Sequence, residues 1–156
     1  MQKTNAMRIL DSASIEYTTH TYEVEDGNID GISVANKLKK DVNIVFKTLV
    51  AQGNSKEVYV FVIPVSEELN LKKAAKVANE KRVELVHVKD INKLTGYIRG
   101  GCSPIGMKKN YRTFIHKSAE ALDRFILSGG KIGVQIEVNP KEIISLIKGS
   151  YEDLIM

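Results

Sequence analysis

A chain of 156 residues is long enough for one domain with a sizeable hydrophobic core, and its length gives little reason to expect a second. With 43% hydrophobic and 27% charged residues, the composition excludes the apolar depletion that keeps a chain disordered. The formal net charge of +4 permits an anionic partner such as a nucleic acid but does not require one.

Several features bear on the compartment and on bound ligands. The longest apolar run, Val58 to Val65, is far shorter than the ~20 residues that a helix needs to cross a bilayer. The first six residues lack the apolar centre of a secretory signal, and a single cysteine, Cys102, cannot form an internal disulfide. We therefore expect a cytoplasmic protein without a membrane partner. The three histidines, His20, His87 and His116, lie far apart in the sequence and predict no metal site. We also expect no cofactor.

The first part of the chain alternates between helical and extended patterns. Apolar residues recur at helical spacing after a capping residue, and β-branched and aromatic residues then follow one another as in a strand. Two glycines, one of them in an Asp-Gly pair, mark the loop that comes next. The predicted elements are a helix capped by Thr4 or Asn5 and ending near Ser14, a strand over 15–22, a loop over 23–31 and a short helix from Ser33 through Leu38.

The middle part predicts a hairpin followed by a packing helix. Residues 58–63 are apolar on both alternating faces, as expected of a central strand buried on both sides. We expect this strand to pair with the one before it. The predicted elements are strands over 42–50 and 58–63 joined by a turn at 52–54, a helix over 71–79 capped by Asn70, a strand over 83–88 and a short helix that begins at Asp90 and ends before Gly96.

The last part predicts three short strands and one helix. The strands cover 112–116, 124–127 and 134–138, and Pro140 suits the first turn of a helix through Lys148. Strands and helices interleave irregularly and include a hairpin. The sequence therefore predicts an α+β fold with a curved, mixed, largely antiparallel sheet flanked by helices, in a single domain over residues 1–156.

A glycine-rich segment, 96–109, carries candidate chemistry. It is not a Walker A loop, because Met107 follows Gly106 where a lysine is required. It is not a nucleophile elbow either, because Ile105 stands where that motif needs a glycine after Ser103. Two interpretations remain open with equal weight: a loop whose amides approach a ligand, or a tight turn.

A second glycine cluster, 128–133, lies between two predicted strands. Its amides could hydrogen-bond a carbonyl oxygen on which charge develops, although a hairpin turn is the commoner use of such glycines. Lys47 interrupts an apolar strand, and burial there would lower its pKa. Such a lysine can bind phosphate or act as a base, although a lysine that reaches water from a strand edge is commoner.

Two further features have structural interpretations. Cys102 has no base beside it in sequence and is interpreted as structural. A group of basic residues would suit a phosphate backbone, although a solvated charged face is the commoner arrangement. This group comprises Lys108, Lys109, Arg112 and Lys117.

Four segments together resemble the YbaK family of free-standing aminoacyl-tRNA deacylases, which are related to the editing domain of bacterial prolyl-tRNA synthetases. The motifs occur in the same order and at compatible spacings over nearly the whole chain. The resemblance implies removal of cysteine from mischarged proline tRNA, with the tRNA 3′ end as partner and prolyl-tRNA synthetase as a possible second one. The segments are 46–50, 69–75, 94–109 and 128–131.

The resemblance also implies the site residues. Lys47 matches the essential lysine, Thr48 lies beside it, and Tyr22 matches a pocket tyrosine. Ile29 stands near a position where the family often carries an aromatic residue. The glycine-lined pocket walls correspond to Gly100, Gly101, Ser128, Gly129 and Gly130.

In the mechanism that the family suggests, the protein supplies no covalent nucleophile. The thiol of the substrate's own cysteine, or a water, attacks the ester carbonyl, while Lys47 holds a phosphate or polarises the ester. The amides of Gly129 and Gly130 would stabilise the oxyanion, and Tyr22 would pack against the terminal adenosine. Two alternatives stay open: a non-catalytic tRNA or synthetase binding module, and a deacylase for another amino acid such as alanine.

Overall fold

The structure, a computed structural model, describes residues 2–156. This range contains five α-helices, a 3-10 helix at Lys117–Ala121 and eight strands. The helices are α1 (Asn5–Ser12), α2 (Gly31–Leu38), α3 (Leu71–Ala78), α4 (Val88–Thr95) and α5 (Pro140–Ile147). The strands are β1 (Tyr17–Thr21), β2 (Phe46–Gly53), β3 (Val58–Pro64), β4 (Val83–Leu85), β5 (Arg112–His116), β6 (Phe125–Lys131), β7 (Val134–Val138) and β8 (Ser150–Glu152).

The strands form two sheets. One has the order β1-β7-β6 and the other β4-β2-β3-β5-β8. Within these two sheets as described, β5 pairs in parallel with β3 on one side and with β8 on the other, and the other strand pairs are antiparallel. An isolated bridge between Val45 and Ile126 joins the sheets just before β2. The predicted α+β class and largely antiparallel pairing are confirmed, while the strands are divided between two sheets where one was expected.

Helix starts follow from side-chain caps. Thr4 accepts a hydrogen bond from the Met7 amide and Asn70 accepts from two amides of α3, as predicted. The prediction of Ser33 as the cap of α2 was wrong. Asp30 caps this helix and accepts from both the amide and the hydroxyl of Ser33. Nor does Asp90 begin α4, which starts at Val88.

Strand bounds differ from prediction at several points. Residues 42–44 form a turn, so β2 begins at Phe46 and continues to Gly53. The predicted hairpin is confirmed by the antiparallel register of β2 with β3, which pairs Lys47 with Ile63. The segment 128–131, predicted as a connection, belongs to β6.

Two hydrophobic cores lie on the two faces of the larger sheet. The first contains Phe46, Val60 and Val62 together with α1, α5 and the inner face of the smaller sheet. The second contains Phe61 and Ile63 under the alanine face of α3. Alternate residues of β3 therefore serve different cores, which explains why its sequence is apolar throughout. Within residues 2–156, none of the helices has the length and apolar character needed to span a bilayer.

Candidate functional site

A cavity of about 100 Å³ lies where the two sheets meet. Its walls come from the start of β2, the loop before α2 and α2 itself, the segment 100–102, and the facing strands β6 and β7. The lining residues are Ile29, Gly31, Val34, Val45, Phe46, Lys47, Thr48, Val65, Gly100, Cys102, Ser128 and Gln135.

The cavity brings together residues that lie far apart in the sequence and were predicted as a site. Ile29, Lys47, Thr48, Gly100 and Ser128 all line it. The other predicted residues are not among its lining residues. They are Tyr22, Gly101, Gly129 and Gly130.

Lys47 is a half-buried cation in the wall of the cavity. Burial lowers its pKa, because a low-dielectric environment disfavours the ammonium form. The carboxylates of Glu68 and Glu67 offset part of this effect. The prediction that burial lowers the pKa of this lysine is confirmed. A partly desolvated cation of this kind interacts strongly with an anionic group that enters the cavity.

Two predicted site residues carry buried hydroxyls without a partner. Thr48 Oγ1 and Tyr22 Oη are inaccessible to solvent, and neither hydrogen-bonds to another described residue. The Tyr22 ring lies 5.8 Å from the ammonium of Lys37. Both hydroxyls are enclosed by the protein, Thr48 Oγ1 beside the cavity and Tyr22 Oη outside its lining.

The glycine cluster of β6 is tied to its surroundings. The amide of Gly130 donates to Ser128 Oγ at 3.1 Å, and the carbonyl of Gly129 accepts from Thr4 Oγ1 at 2.6 Å. The Gly130 N–H is therefore engaged within the protein, and it is free for an oxyanion only when the Ser128 hydroxyl moves. Residues 129–130 form an irregularity in the pairing of β6 with β7.

The segment 96–106 is a fixed loop that places Gly100 and Cys102 in the wall. Tyr97 Oη donates to the carbonyl of Ile105 at 2.6 Å, and the Gly101 amide donates to the carbonyl of Ile98 at 2.9 Å. Gly100 has a φ of +86°, a conformation that glycine adopts without strain. Of the two interpretations left open by the sequence, the hydrogen bond from Gly101 to Ile98 shows the tight turn, and this turn places Gly100 in the cavity wall.

The comparisons with known proteins fit this cavity and this fold. The family profile described as the aminoacyl-tRNA editing domain matches residues 28–146, which include every lining residue of the cavity. The chain belongs to this aminoacyl-tRNA editing family. A protein of Enterococcus faecalis, EbsC, provisionally named a Cys-tRNA(Pro)/Cys-tRNA(Cys) deacylase, is 43% identical over 153 residues, or 98% of this chain and 93% of the relative.

Solved structures share the fold of this editing domain. The hypothetical protein APE2540 aligns with a TM-score of 0.89 at 20% identity, over 98% of this chain and 100% of its own. A protein provisionally described as a trans-editing enzyme for prolyl-tRNA synthetase aligns with a TM-score of 0.84 at 18% identity, over 100% and 99%. At these identities the two structures show the fold alone.

Gln135 is a cavity residue of the editing domain that sequence reasoning missed. It lies on β7 directly opposite Ser128 and is 6% exposed. The alternation of polar and apolar residues in Val134–Val138 is typical of a strand with one solvated face, so it predicted that Gln135 would face water. In the structure this face bounds the cavity. Its neighbour Glu137 is hydrogen-bonded to His20 at 2.8 Å.

Cys102 lines the cavity but is not an activated nucleophile. It is 8% exposed, and burial raises its pKa to about 11. The thiol is therefore protonated at neutral pH, whereas nucleophilic cysteines are thiolates. The structural interpretation of Cys102 agrees with this environment.

The basic group proposed for a phosphate backbone is divided in the editing domain. Lys109 and Arg112 line a separate groove together with Lys56, at the far end of β2 from the cavity. Lys117 follows the opposite end of β5. Within residues 2–156, no three metal-ligating side chains form a cluster that could hold an ion.

Proposed function

We propose that this protein is a trans-acting deacylase that cleaves the ester of cysteine mischarged on proline tRNA. Membership of the editing family and the 43% identity to a relative named a Cys-tRNA(Pro)/Cys-tRNA(Cys) deacylase support this function. The observation that carries it is a small cavity that brings the half-buried lysine of β2, Lys47, together with Gly100 and Ser128 from distant parts of the chain. Such a cavity suits a small, polar aminoacyl group linked to an anionic nucleotide.

The chain's own residues bind and orient the ester in this proposal. The Lys47 ammonium holds the phosphate of the terminal nucleotide or polarises the ester carbonyl. Thr48 lies in the wall beside Lys47, and Tyr22 packs against the terminal adenosine. Ile29 and Gly100 bound the side chain of the amino acid. Holding the reacting groups together in this way lowers the entropic part of the barrier.

In this proposal the attacking group comes from the substrate or from water, because the Cys102 thiol is protonated and Lys47 acts as the charged ammonium. If the substrate's thiol attacks, a carbon–sulfur bond forms, the ester carbon–oxygen bond breaks, and the thiol proton ends on the ribose hydroxyl. If water attacks, free cysteine and the same ribose hydroxyl result. In both cases the carbonyl oxygen becomes negative and needs donors.

Backbone amides supply those donors in the proposal. The Gly129 amide and, after rotation of the Ser128 hydroxyl, the Gly130 amide are the candidates carried over from the family. The loop at Gly100 and Gly101 forms the facing wall and presents further backbone to the same space. An oxyanion hole of this kind commonly contributes 10²–10³-fold to a rate.

Gln135 extends this site. Its side chain offers both a carbonyl acceptor and an amide donor, and it lies beside Ser128 in the cavity wall. We assign the carbonyl oxygen of Gln135 to the α-ammonium group of the bound amino acid. A neutral amide binds an ammonium group without adding a second buried charge.

The same proposal covers the setting of the reaction. Residues 1–156 act as one editing domain, the protein works in the cytoplasm where tRNA is charged, and prolyl-tRNA synthetase is the partner from which mischarged tRNA arrives. The contiguous cores on both faces of the larger sheet support a single unit.

The test measures release of labelled cysteine, alanine and proline from proline tRNA by the wild type and by Lys47→Ala. Lys76→Ala, which removes an exposed lysine of α3, is the matched control. Cysteine release that is lost only in Lys47→Ala supports the proposal. Release of alanine in preference to cysteine identifies a different amino-acid specificity. Retained tRNA binding without any release identifies a binding module.

A further inference from the structure

The tip of the β6–β7 hairpin stands behind one wall of the cavity. Lys131 pairs with Val134, which leaves Ile132 and Gly133 as the connecting residues. A Cβ on Gly100 would lie 3.5 Å from Ile132 Cγ1 and 3.0 Å from Ile29 Cδ1. Ile29 and Ile132 thus both pack against the side of Gly100 that lacks a Cβ. Ile29 and Gly100 line the cavity, whereas Ile132 is not among its lining residues.

This hairpin tip is fixed against two other loops. The amide of Tyr22 donates to the carbonyl of Gly133 at 3.0 Å, and the Gly133 backbone lies close to Val24. On the other side, a Cβ on Gly101 would lie 2.9 Å from the backbone nitrogen of Ile132. The backbone that carries Ile132 is therefore held between the segment after β1 and the segment at Gly101.

Ile29 depends on its neighbours for its own position. It belongs to the irregular segment between β1 and α2, and its side chain packs over a glycine that offers no Cβ. Ile132 supplies the apolar surface that is missing at this point. Removing the branched part of Ile132 would leave a void, and Ile29 could move into it and away from the cavity. The cavity would then become wider on the side of Gly100.

We propose that Ile132 is a positioning residue that holds Ile29 against the cavity and thereby limits the size of the aminoacyl side chain that the site accepts. The inference rests on the proposed function. It concerns discrimination between amino acids, and the chemistry at Lys47 does not depend on it. Ile132 acts through Ile29 and does not itself touch the substrate.

The test uses Ile132→Ala and Ile132→Val, with Val88→Ala on the exposed surface of α4 as the control. Binding is measured with amide-linked, non-hydrolysable aminoacyl-adenosine analogues that carry cysteine, proline or methionine. Release is measured in parallel from proline tRNA carrying the same three amino acids. Circular dichroism and the thermal midpoint establish that each variant is folded.

The expected result is a change in selectivity. Ile132→Ala should lower the preference for the cysteine analogue over the methionine analogue on the order of tenfold, the discrimination that a methylene-sized change in an apolar pocket provides. Ile132→Val should lower the same preference by a smaller factor, and Val88→Ala should leave the preference unchanged. The release assay should show the shift mainly in KM.

Other results would overturn the inference. If Ile132→Ala weakens all three analogues equally, or keeps the wild-type preference, Ile132 has only a structural role. If Ile132→Ala fails to fold, a wild-type preference in Ile132→Val has the same meaning. The proposed function fails separately, when the wild type binds the cysteine analogue but releases no cysteine from tRNA.

Discussion

The backbone amide of Leu154 donates a hydrogen bond to Nδ1 of His116 at 3.2 Å. His116 ends β5 and is 5% exposed. The segment that follows β8 is therefore hydrogen-bonded, through Leu154, to a buried imidazole. Nδ1 accepts this bond only while it carries no proton. The bond therefore links the protonation of one side chain to the attachment of residues 153–156.

A dependence of stability on pH follows from this bond. Burial lowers the pKa of His116, and the charges of Lys117 and Lys73 add to this, while Asp153 and Glu67 act in the opposite direction. The unfolded state, with a histidine pKa of about 6.5, then binds more protons than the folded state just below that pH. The free energy of unfolding should therefore fall as the pH decreases through this range.

Urea denaturation at pH 7.5 and pH 5.5 measures this effect. His116→Asn keeps an acceptor near the position of Nδ1 but does not titrate, so its stability should fall less between the two pH values. If the wild type and His116→Asn lose the same free energy, another group is responsible.

The rate of deacylation should fall on the alkaline side at a lower pH than an exposed lysine would give. Burial lowers the pKa of Lys47, and the neutral amine neither binds phosphate strongly nor polarises an ester. Lys47→Arg, which stays charged, should keep part of the activity and lose this alkaline decline. Lys47→Ala should reduce kcat/KM about 10²-fold or more. Single-turnover rates, corrected for spontaneous ester hydrolysis, provide the measurement, and an unchanged alkaline profile in Lys47→Arg contradicts the assignment.

Replacing Gln135 by leucine should weaken substrate binding. The substitution keeps the approximate size of the side chain in a buried position and removes the acceptor for the α-ammonium group. A hydrogen bond to a charged group contributes about 1.5–3 kcal/mol, so kcat/KM should fall roughly 10- to 100-fold. Gln135→Glu keeps an acceptor and should retain more activity than Gln135→Leu. Equal activity of Gln135→Leu and the wild type would remove Gln135 from the site.

Gly101→Ala should damage both stability and activity. The added Cβ would lie 2.9–3.1 Å from backbone atoms of Ile132 and Lys131, which cannot move as freely as a flexible side chain. Overpacking of this kind typically costs about 1–3 kcal/mol, and the shift would reach the wall at Gly100. Gly27→Ala is the comparison, because its added Cβ meets nothing within 4 Å, so any effect comes from strain at a φ of +77° and not from a steric clash. Chemical denaturation and release assays on both variants should show a loss of activity only for Gly101→Ala.

Cys102→Ser should leave deacylation nearly unchanged. The buried thiol has its pKa raised to about 11, so it contributes no thiolate at neutral pH. An inactive but folded Cys102→Ser variant would show that the protein itself supplies the nucleophile. The measurement is the rate of cysteine release, with circular dichroism as the check on folding.

Local signals in the sequence were sufficient for the features that depend on near neighbours. The caps at Thr4 and Asn70 and the β2–β3 hairpin each involve residues close together in the chain, and each was predicted. Lys47 was recognisable because a lysine in an apolar strand is conspicuous wherever the strand lies. The cap of α2 was ambiguous, because Asp30 and Ser33 are both good capping residues three positions apart.

Features that depend on distant pairing could not be predicted. β8 is three residues long and is a strand only because Phe114 lies opposite Ser150. Gln135 was missed because polar alternation predicts a solvated face, and the cavity that this face bounds is closed by residues about 90 positions earlier in the chain, at Val45 and Thr48. Lys47 was thus recognisable from its own strand, whereas Gln135 is identified as a cavity residue only once the distant segments are assembled.

The position of β8 also has a consequence for synthesis on the ribosome. β5 can pair with β3 as soon as β5 has been made, but its other edge stays unpaired until residues 150–152 have been synthesised. The bridge between Leu69 and Ile155 likewise forms only after residue 155 has been added. An unpaired strand edge invites association with other nascent chains. Translation that stalls shortly before residue 150 should therefore produce an aggregation-prone fragment, although the segments that line the cavity are already complete.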